Sequence, residues 1–284
     1  MRVVDLNDLS RHHPGGVVLE RCAGVHPQLR TVEVVEKEYD RDKYALALAF
    51  VRANEGVTPW DVRMFELEGH PPEADWCFSL GDQLWLAPLA EVQRRFGDII
   101  VDRIKARAAD CRSVVELGCG YGYNLWRVGQ ALPGRQLLGG DIADAAVELA
   151  KQLFDGNGGP RVGKFDYYSD AYSLLDEATP PVLLFTCHSI EQLPRAGHVL
   201  DTLARYASKI AGVLHFEPVF EIHEHSPIGQ LRRAYAEAVD YNRDLLGLLR
   251  ERPEIEVRSV EPNVMGTNPL NPTTVIHWTF RPGT

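Results

Sequence analysis

Along residues 111–281 the apolar positions switch repeatedly between short continuous runs and longer stretches with helical spacing. Val114 to Leu117, Gln136 to Gly140, Val162 to Phe165, Pro181 to Cys187 and Ile210 to Phe216 read as strands, and Asn124 to Leu132, Ile142 to Phe154 and Val199 to Ser208 as helices between them. The fourth run is almost wholly apolar, as a strand buried on both faces requires. A polar helix from about Ile228 to Arg250 follows, then two strand-like runs, Glu254 to Val260 and Thr273 to Phe280, joined by the Pro/Asn/Gly-rich stretch Pro262 to Pro272. This alternation predicts an α/β fold, a doubly wound, mostly parallel sheet of seven strands over residues 110–284.

Residues 1–109 pattern differently and are read as an N-terminal helical and aromatic extension. Tyr44, Ala45, Leu48 and Val51 have helical spacing, so a first helix is expected over Asp40 to Asn54, stopping near Gly56. Trp60 to Leu84 combines turn chemistry (His70-Pro71-Pro72, Gly81-Asp82) with Trp60, Met64, Phe65, Trp76 and Phe78. It reads as a long loop, either an aromatic mini-core or a lid whose Trp60 and Trp76 wall a substrate pocket. From Trp85 to Ala109 the helical pattern returns, with Leu86, Leu89, Val92, Phe96, Ile99, Ile100 and Ile104 inward. Residues 1–37 carry no assignable element.

Composition narrows the partners. The 284 residues are 45% hydrophobic and 25% charged, with a formal net charge of -10, so a phosphate backbone would be repelled and no nucleic-acid partner is expected. The five cysteines form no Cys-x-x-Cys pair and no run of about 18 apolar residues occurs, so a soluble, cytoplasmic protein without a membrane partner is expected. The oligomeric state stays open, a homodimer included.

The chemistry starts where the first of these strands ends, at Glu116-Leu-Gly118-Cys-Gly120-Tyr-Gly122. Alternating glycines let the backbone turn sharply and approach a ligand without a Cβ in the way. The period and the leading acid depart from the dinucleotide Gly-x-Gly-x-x-Gly fingerprint. The stretch resembles motif I of the class I S-adenosylmethionine-dependent methyltransferases. That resemblance implies S-adenosylmethionine as cofactor, with Glu116 near its methionine amino group and Gly118, Gly120 and Gly122 bordering it. It also implies a last strand inserted antiparallel beside the sixth. An acid should then end the second strand to bond the ribose hydroxyls, and Asp141 stands there, 19 residues after Gly122. An acid at that position serves NAD as well. By the same resemblance Ile142 and Tyr167 wall the adenine, and Asp166 lies at its amino group.

Ligands of doubly wound sheets sit beyond the C-terminal ends of the strands. His188 and Glu191, after the fourth strand, therefore point towards the transferred methyl or the acceptor, with His188 the candidate general base. After the fifth strand, His215-Phe-Glu217-Pro-Val-Phe-Glu221-Ile-His223-Glu224-His225 is the densest polar cluster. A metal site, a solvated loop and a substrate pocket compete for it. No zinc spacing appears, so no metal is assigned. As a pocket, Glu217 and Glu221, with His223 and His225, would face a cationic amine or guanidinium, since two buried carboxylates persist best when the ligand brings positive charge. Glu217 joins His188 and Glu191 as a candidate catalytic group. The expected activity is methylation of a small, possibly cationic molecule, with nitrogen favoured over oxygen or carbon. The rivals are an NAD-dependent oxidoreductase and a noncatalytic S-adenosylmethionine-binding protein.

Overall fold

The computed structural model of the chain describes residues 1–9, 29–67, 70–156, 158–222 and 226–282. The strands are β1 (Arg2–Val4), β2 (Asp75–Leu80), β3 (Gln83–Pro88), β4 (Ser113–Leu117), β5 (Gln136–Asp141), β6 (Arg161–Lys164), β7 (Val182–Cys187), β8 (Ile210–Glu217), β9 (Ile255–Met265) and β10 (Thr273–Phe280). The helices are α1 (Val32–Glu36), α2 (Ala45–Ala53), α3 (Pro59–Phe65), α4 (Leu89–Lys105), α5 (Tyr123–Ala131), α6 (Asp144–Phe154), α7 (Ser173–Glu177), α8 (Gly197–Ala204), α9 (Pro227–Ala238) and α10 (Leu245–Glu251).

The main sheet has seven strands in the order β6-β5-β4-β7-β8-β10-β9. Strands β4 to β8 pair in parallel, while β10 lies antiparallel between β8 and β9. This is the mostly parallel α/β sheet that the alternating pattern predicts. Along β7 the side chains alternate between two cores. Leu183 and Phe185 join α4, α5 and α6 on one face, and Val182 and Leu184 join α7, α8 and α10 on the other. Helix α4 presents Leu89, Val92, Phe96, Ile100 and Ile104 to the first core at helical spacing. Each such fully buried side chain contributes about 1.5–3 kcal/mol. Among the described residues no helix is long and apolar enough to cross a membrane.

Four regions differ from the sequence expectations, one of them Trp85 to Pro88, which belong to β3 and not to the helix that starts at Leu89. Trp60 to Leu84 is not a long loop. Thr58 opens α3 with a capping box and Pro59 at its first turn, and β2 and β3 then form a hairpin about Gly81-Asp82 that β1 extends to three strands. The first helix begins earlier and runs from Val32 to Ala53, with a π-helical stretch over Lys37–Tyr44 between α1 and α2. There Tyr39 and Tyr44, five residues apart, come onto one side with ring centroids 6.1 Å apart. The long polar helix is two, because Asp240 takes a left-handed φ of 53° and the Asn242 side chain accepts from the Asp244 and Leu245 N–H groups to start α10.

Candidate active site

At the C-terminal ends of β4, β5 and β7 lies a cavity of about 320 Å³, closed on its other side by residues of α1, the π-helical stretch and α3. It gathers Glu116, Gly118, Gly120, Asp141, Ile142, Asp166, Tyr167, His188 and Glu191 in one wall.

Two glycines are required by close approach. Gly118 has φ 68°, and a Cβ there would lie 2.4 Å from Cβ of Ser189. Gly120 has φ 55°, and its Cβ would lie 2.3 Å from the Tyr44 hydroxyl oxygen. The strap that carries Tyr44 therefore rests directly on the glycine turn. Asp40 fixes it there by accepting from the Ala145 N–H at 2.7 Å, in the first turn of α6. Gly122 is placed away from the cavity, opening α5 against Val162 and Phe154.

Asp141 accepts from Gly120 N–H at 2.7 Å and Ala143 N–H at 2.9 Å, so one carboxylate ties the glycine turn to the end of β5. Burial raises its pKa, and those two N–H bonds work against the rise. Asp166 accepts from the Tyr168 N–H at 2.8 Å. The Tyr167 hydroxyl donates to the Leu117 carbonyl at 2.9 Å and lies 2.8 Å from the Ser189 hydroxyl, joining the end of β4 to the turn after β7.

Glu116 is completely buried. Its Oε1 accepts from the Asn124 amide at 2.8 Å, and its Oε2 has no hydrogen-bond partner among the described residues. Desolvation pushes its pKa well up, and the charge of Asp141 adds to the rise. Arg63 and Glu66 of the α3 region, which nothing in the sequence marked, also line the cavity. Arg63 bonds Gln93 at 3.1 Å and Glu66 at 3.2 Å and lies over the Tyr123 ring. Among the described residues Glu66 Oε1 makes no hydrogen bond, with Lys43 Nζ 3.5 Å away. On the sequence, Arg63 and Glu66 look like a surface i,i+3 ion pair, and only packing of α3 against α5 turns them inward.

In the same wall, His188 holds a left-handed φ of 49°, a conformation that non-glycine residues keep only where the surroundings enforce it. Its Nδ1 lies 3.0 Å from Glu191 Oε2 and its Nε2 2.6 Å from the Thr273 hydroxyl. Glu191 also accepts from Asn271 at 3.0 Å and from Gln192 at 2.9 Å. Burial lowers the His188 pKa, but Glu191 and Glu217 more than offset it, and the net shift is upward.

The structure does not bring the rest of the acidic cluster to this wall. Glu217 is fully buried behind the turn, where its carboxylate accepts from the N–H groups of Ser189, Ile190 and Glu191 at 3.1–3.2 Å. Glu221 accepts from the Gly247 N–H at 2.9 Å on α10. His223 and His225 lie outside the described residues. Trp60 stacks under Arg94 rather than lining the cavity. Trp76 is buried, its indole N–H donating to the carbonyl of Thr267, which does line it. Among the described residues no group of His, Cys, Asp or Glu is arranged to hold a metal ion.

No family model matches the sequence, and no curated protein matches it. Solved structures do. Magnesium protoporphyrin IX methyltransferase from Synechocystis PCC 6803 with bound SAH is similar at TM-score 0.52 and 11% identity, over 88% of this chain and 100% of that one. Human N-acetylserotonin methyltransferase in complex with SAM is similar at TM-score 0.52 and 14% identity, over 92% of this chain and 65% of that one. At these identities the likeness is one of fold, and the chain has the fold of the class I S-adenosylmethionine-dependent methyltransferases.

Proposed function

We propose that this chain, on its class I methyltransferase fold, transfers a methyl group from S-adenosylmethionine to a hydroxyl of a small molecule. The observation that carries the reading is the presence, in one cavity, of a buried carboxylate oxygen on Glu116 that is unpartnered among the described residues and of the ordered His188 and Glu191 pair.

The residues present fit the cofactor. Gly118 and Gly120 line the cavity without side chains, and Asp141 holds their turn against the end of β5. A buried carboxylate with one idle oxygen is costly unless a ligand supplies a donor, and an α-ammonium is such a donor. Glu116 and Glu66 would take that ammonium, Arg63 the carboxylate beside it, and Asp141 the ribose hydroxyls. Ile142, Phe165 and Tyr168 would wall the base, with Asp166 at its edge. When bound, S-adenosylmethionine supplies a methyl group on a sulfonium, open to in-line displacement by a positioned nucleophile.

A hydroxyl acceptor becomes a good nucleophile by losing its proton, and His188 is the group that takes it. Glu191 accepts from Nδ1 and fixes the ring, which leaves Nε2 as the basic nitrogen; the Thr273 hydroxyl donates to it at 2.6 Å, and the acceptor hydroxyl takes that place when it gives up its proton. The π-helical stretch and α3 cover one side of the cavity. A cationic amine acceptor is supported less, because Glu217 and Glu221, the carboxylates that motivated it, are engaged by backbone N–H groups away from the cavity. The test is production of S-adenosylhomocysteine from S-adenosylmethionine with panels of phenols, alcohols and carboxylic acids against panels of amines and guanidines. Turnover confined to the amines would overturn the hydroxyl assignment.

A further inference from the structure

We propose that Thr186 and His215 are positioning residues for His188, acting through Glu217 along a one-directional chain of hydrogen bonds that begins at Trp278. The proposal rests on the reading of His188 as proton acceptor.

The direction is fixed at the first link. The Trp278 indole N–H can only donate, and it lies 2.9 Å from His215 Nε2. Nε2 therefore accepts, the imidazole is neutral, and its proton sits on Nδ1. Burial agrees, lowering the His215 pKa to about 3. Nδ1–H then donates to the Thr186 hydroxyl at 2.9 Å, across the β7–β8 pair in which the two residues are register partners. With its oxygen engaged as acceptor, Thr186 has its own proton free for the Glu217 carboxylate, which lies two residues beyond its register partner His215 on the same face of β8 and whose pKa Thr186 lowers. A carboxylate only accepts, so the chain ends there. Trp278, His215, Thr186 and Glu217 are all completely buried, which leaves water no part in orienting them.

Glu217 then faces its remaining donors, the N–H groups of Ser189, Ile190 and Glu191. Together with the His188 N–H bond to the Phe216 carbonyl at 3.0 Å, these hold the turn in which His188 keeps its left-handed backbone. Burial raises the Glu217 pKa and the charge of Glu191 adds to the rise, while His188 and Thr186 work against it. Thr186 thus helps to keep a negative charge behind His188. The other charged groups acting on His188 are Glu191 on its own turn and Arg63 from α3.

The test uses the free full-length protein, with no methyl donor or acceptor. In the wild type, imidazole nitrogen shifts should show His215 protonated on Nδ1 and bare on Nε2, and the reverse tautomer would overturn the chain. Thr186→Val removes the hydroxyl at nearly constant volume. Its His188 titration midpoint should fall by roughly half a unit or more, as a nearby charge becomes easier to neutralise, with shifts in the Ser189 to Glu191 amides. Thr186→Ser should match the wild type. Adding Thr186→Val to Glu217→Gln should move the midpoint no further than Glu217→Gln alone. A folded Thr186→Val protein with unchanged midpoint and amides would overturn the proposal, as would additive effects in the double variant. The catalytic reading fails separately, if His188→Gln leaves methyl transfer intact while the titration behaves as described.

Discussion

Glu191 Oε2 and His188 Nδ1 lie 3.0 Å apart, on a turn whose backbone N–H groups converge on the buried carboxylate of Glu217. A carboxylate so placed steadies the imidazolium form, and the His188 pKa lies above its ordinary 6.5. A base works when deprotonated, so kcat/KM for a hydroxyl acceptor should rise with pH through a midpoint above the usual histidine range. His188→Gln should abolish that limb and lower kcat about 10²–10⁴-fold. A pH profile flat from 6 to 9 in the wild type, within about 0.3 log units, would be inconsistent with this role.

Glu116 sets stability against binding. Its folded carboxyl keeps a proton to higher pH than the unfolded one, whose pKa is near 4.5. Between those values the folded state binds more protons, so this contribution to stability is full below about 4.5 and is lost as pH rises through the raised folded value. Glu116→Gln should therefore raise Tm at pH 7 relative to the wild type, with the gain shrinking towards pH 4. It should also weaken S-adenosylhomocysteine binding about tenfold or more, by removing the charge that an ammonium requires. Thermal melts across pH, paired with calorimetry, read both; a drop in Tm at pH 7 would contradict the account.

Asp141→Asn keeps the shape of the side chain while surrendering one acceptor oxygen. Charge-assisted hydrogen bonds contribute about 1.5–3 kcal/mol, so S-adenosylmethionine affinity should fall by roughly 10–100-fold. The affinity for a ligand lacking the ribose hydroxyls should hardly change. Equal losses for the two ligands would place Asp141 in fold maintenance alone.

Gly120→Ala puts a Cβ 2.3 Å from the Tyr44 oxygen at a left-handed φ. The backbone cost is about 1–2 kcal/mol, and displacement of the strap adds to it. Tyr44→Phe removes the obstructing atom, so the double variant should recover part of the Tm lost in Gly120→Ala. Strict additivity of the two changes would show that the strap does not rest on the turn.

The parallel strands and the glycine turn were legible because their constraints are local. A strand buried on both faces must be apolar, and a close approach at Gly118 and Gly120 excludes side chains. The β2–β3 hairpin was not, since Trp76, Cys77 and Phe78 are consecutive and all buried, which erases the alternation that marks a half-exposed strand. The break between α9 and α10 depends on the Asn242 amide reaching the Leu193 carbonyl, a partner 49 residues away. Arg63 and Glu66 enter the cavity through the packing of α3, and Glu217 leaves it because three backbone N–H groups after β7 claim its carboxylate. Such assignments follow from who the neighbours are, which spacing along one strand or helix does not encode.

The central claim is that the cavity over the glycine turn is a methyl-donor site, and titration calorimetry of the full-length protein with S-adenosylmethionine and, separately, NAD tests it most directly. The account predicts saturable one-to-one binding of S-adenosylmethionine, weakened by both Glu116→Gln and Asp141→Asn, with no heat attributable to NAD. Binding of NAD with none of S-adenosylmethionine would contradict it.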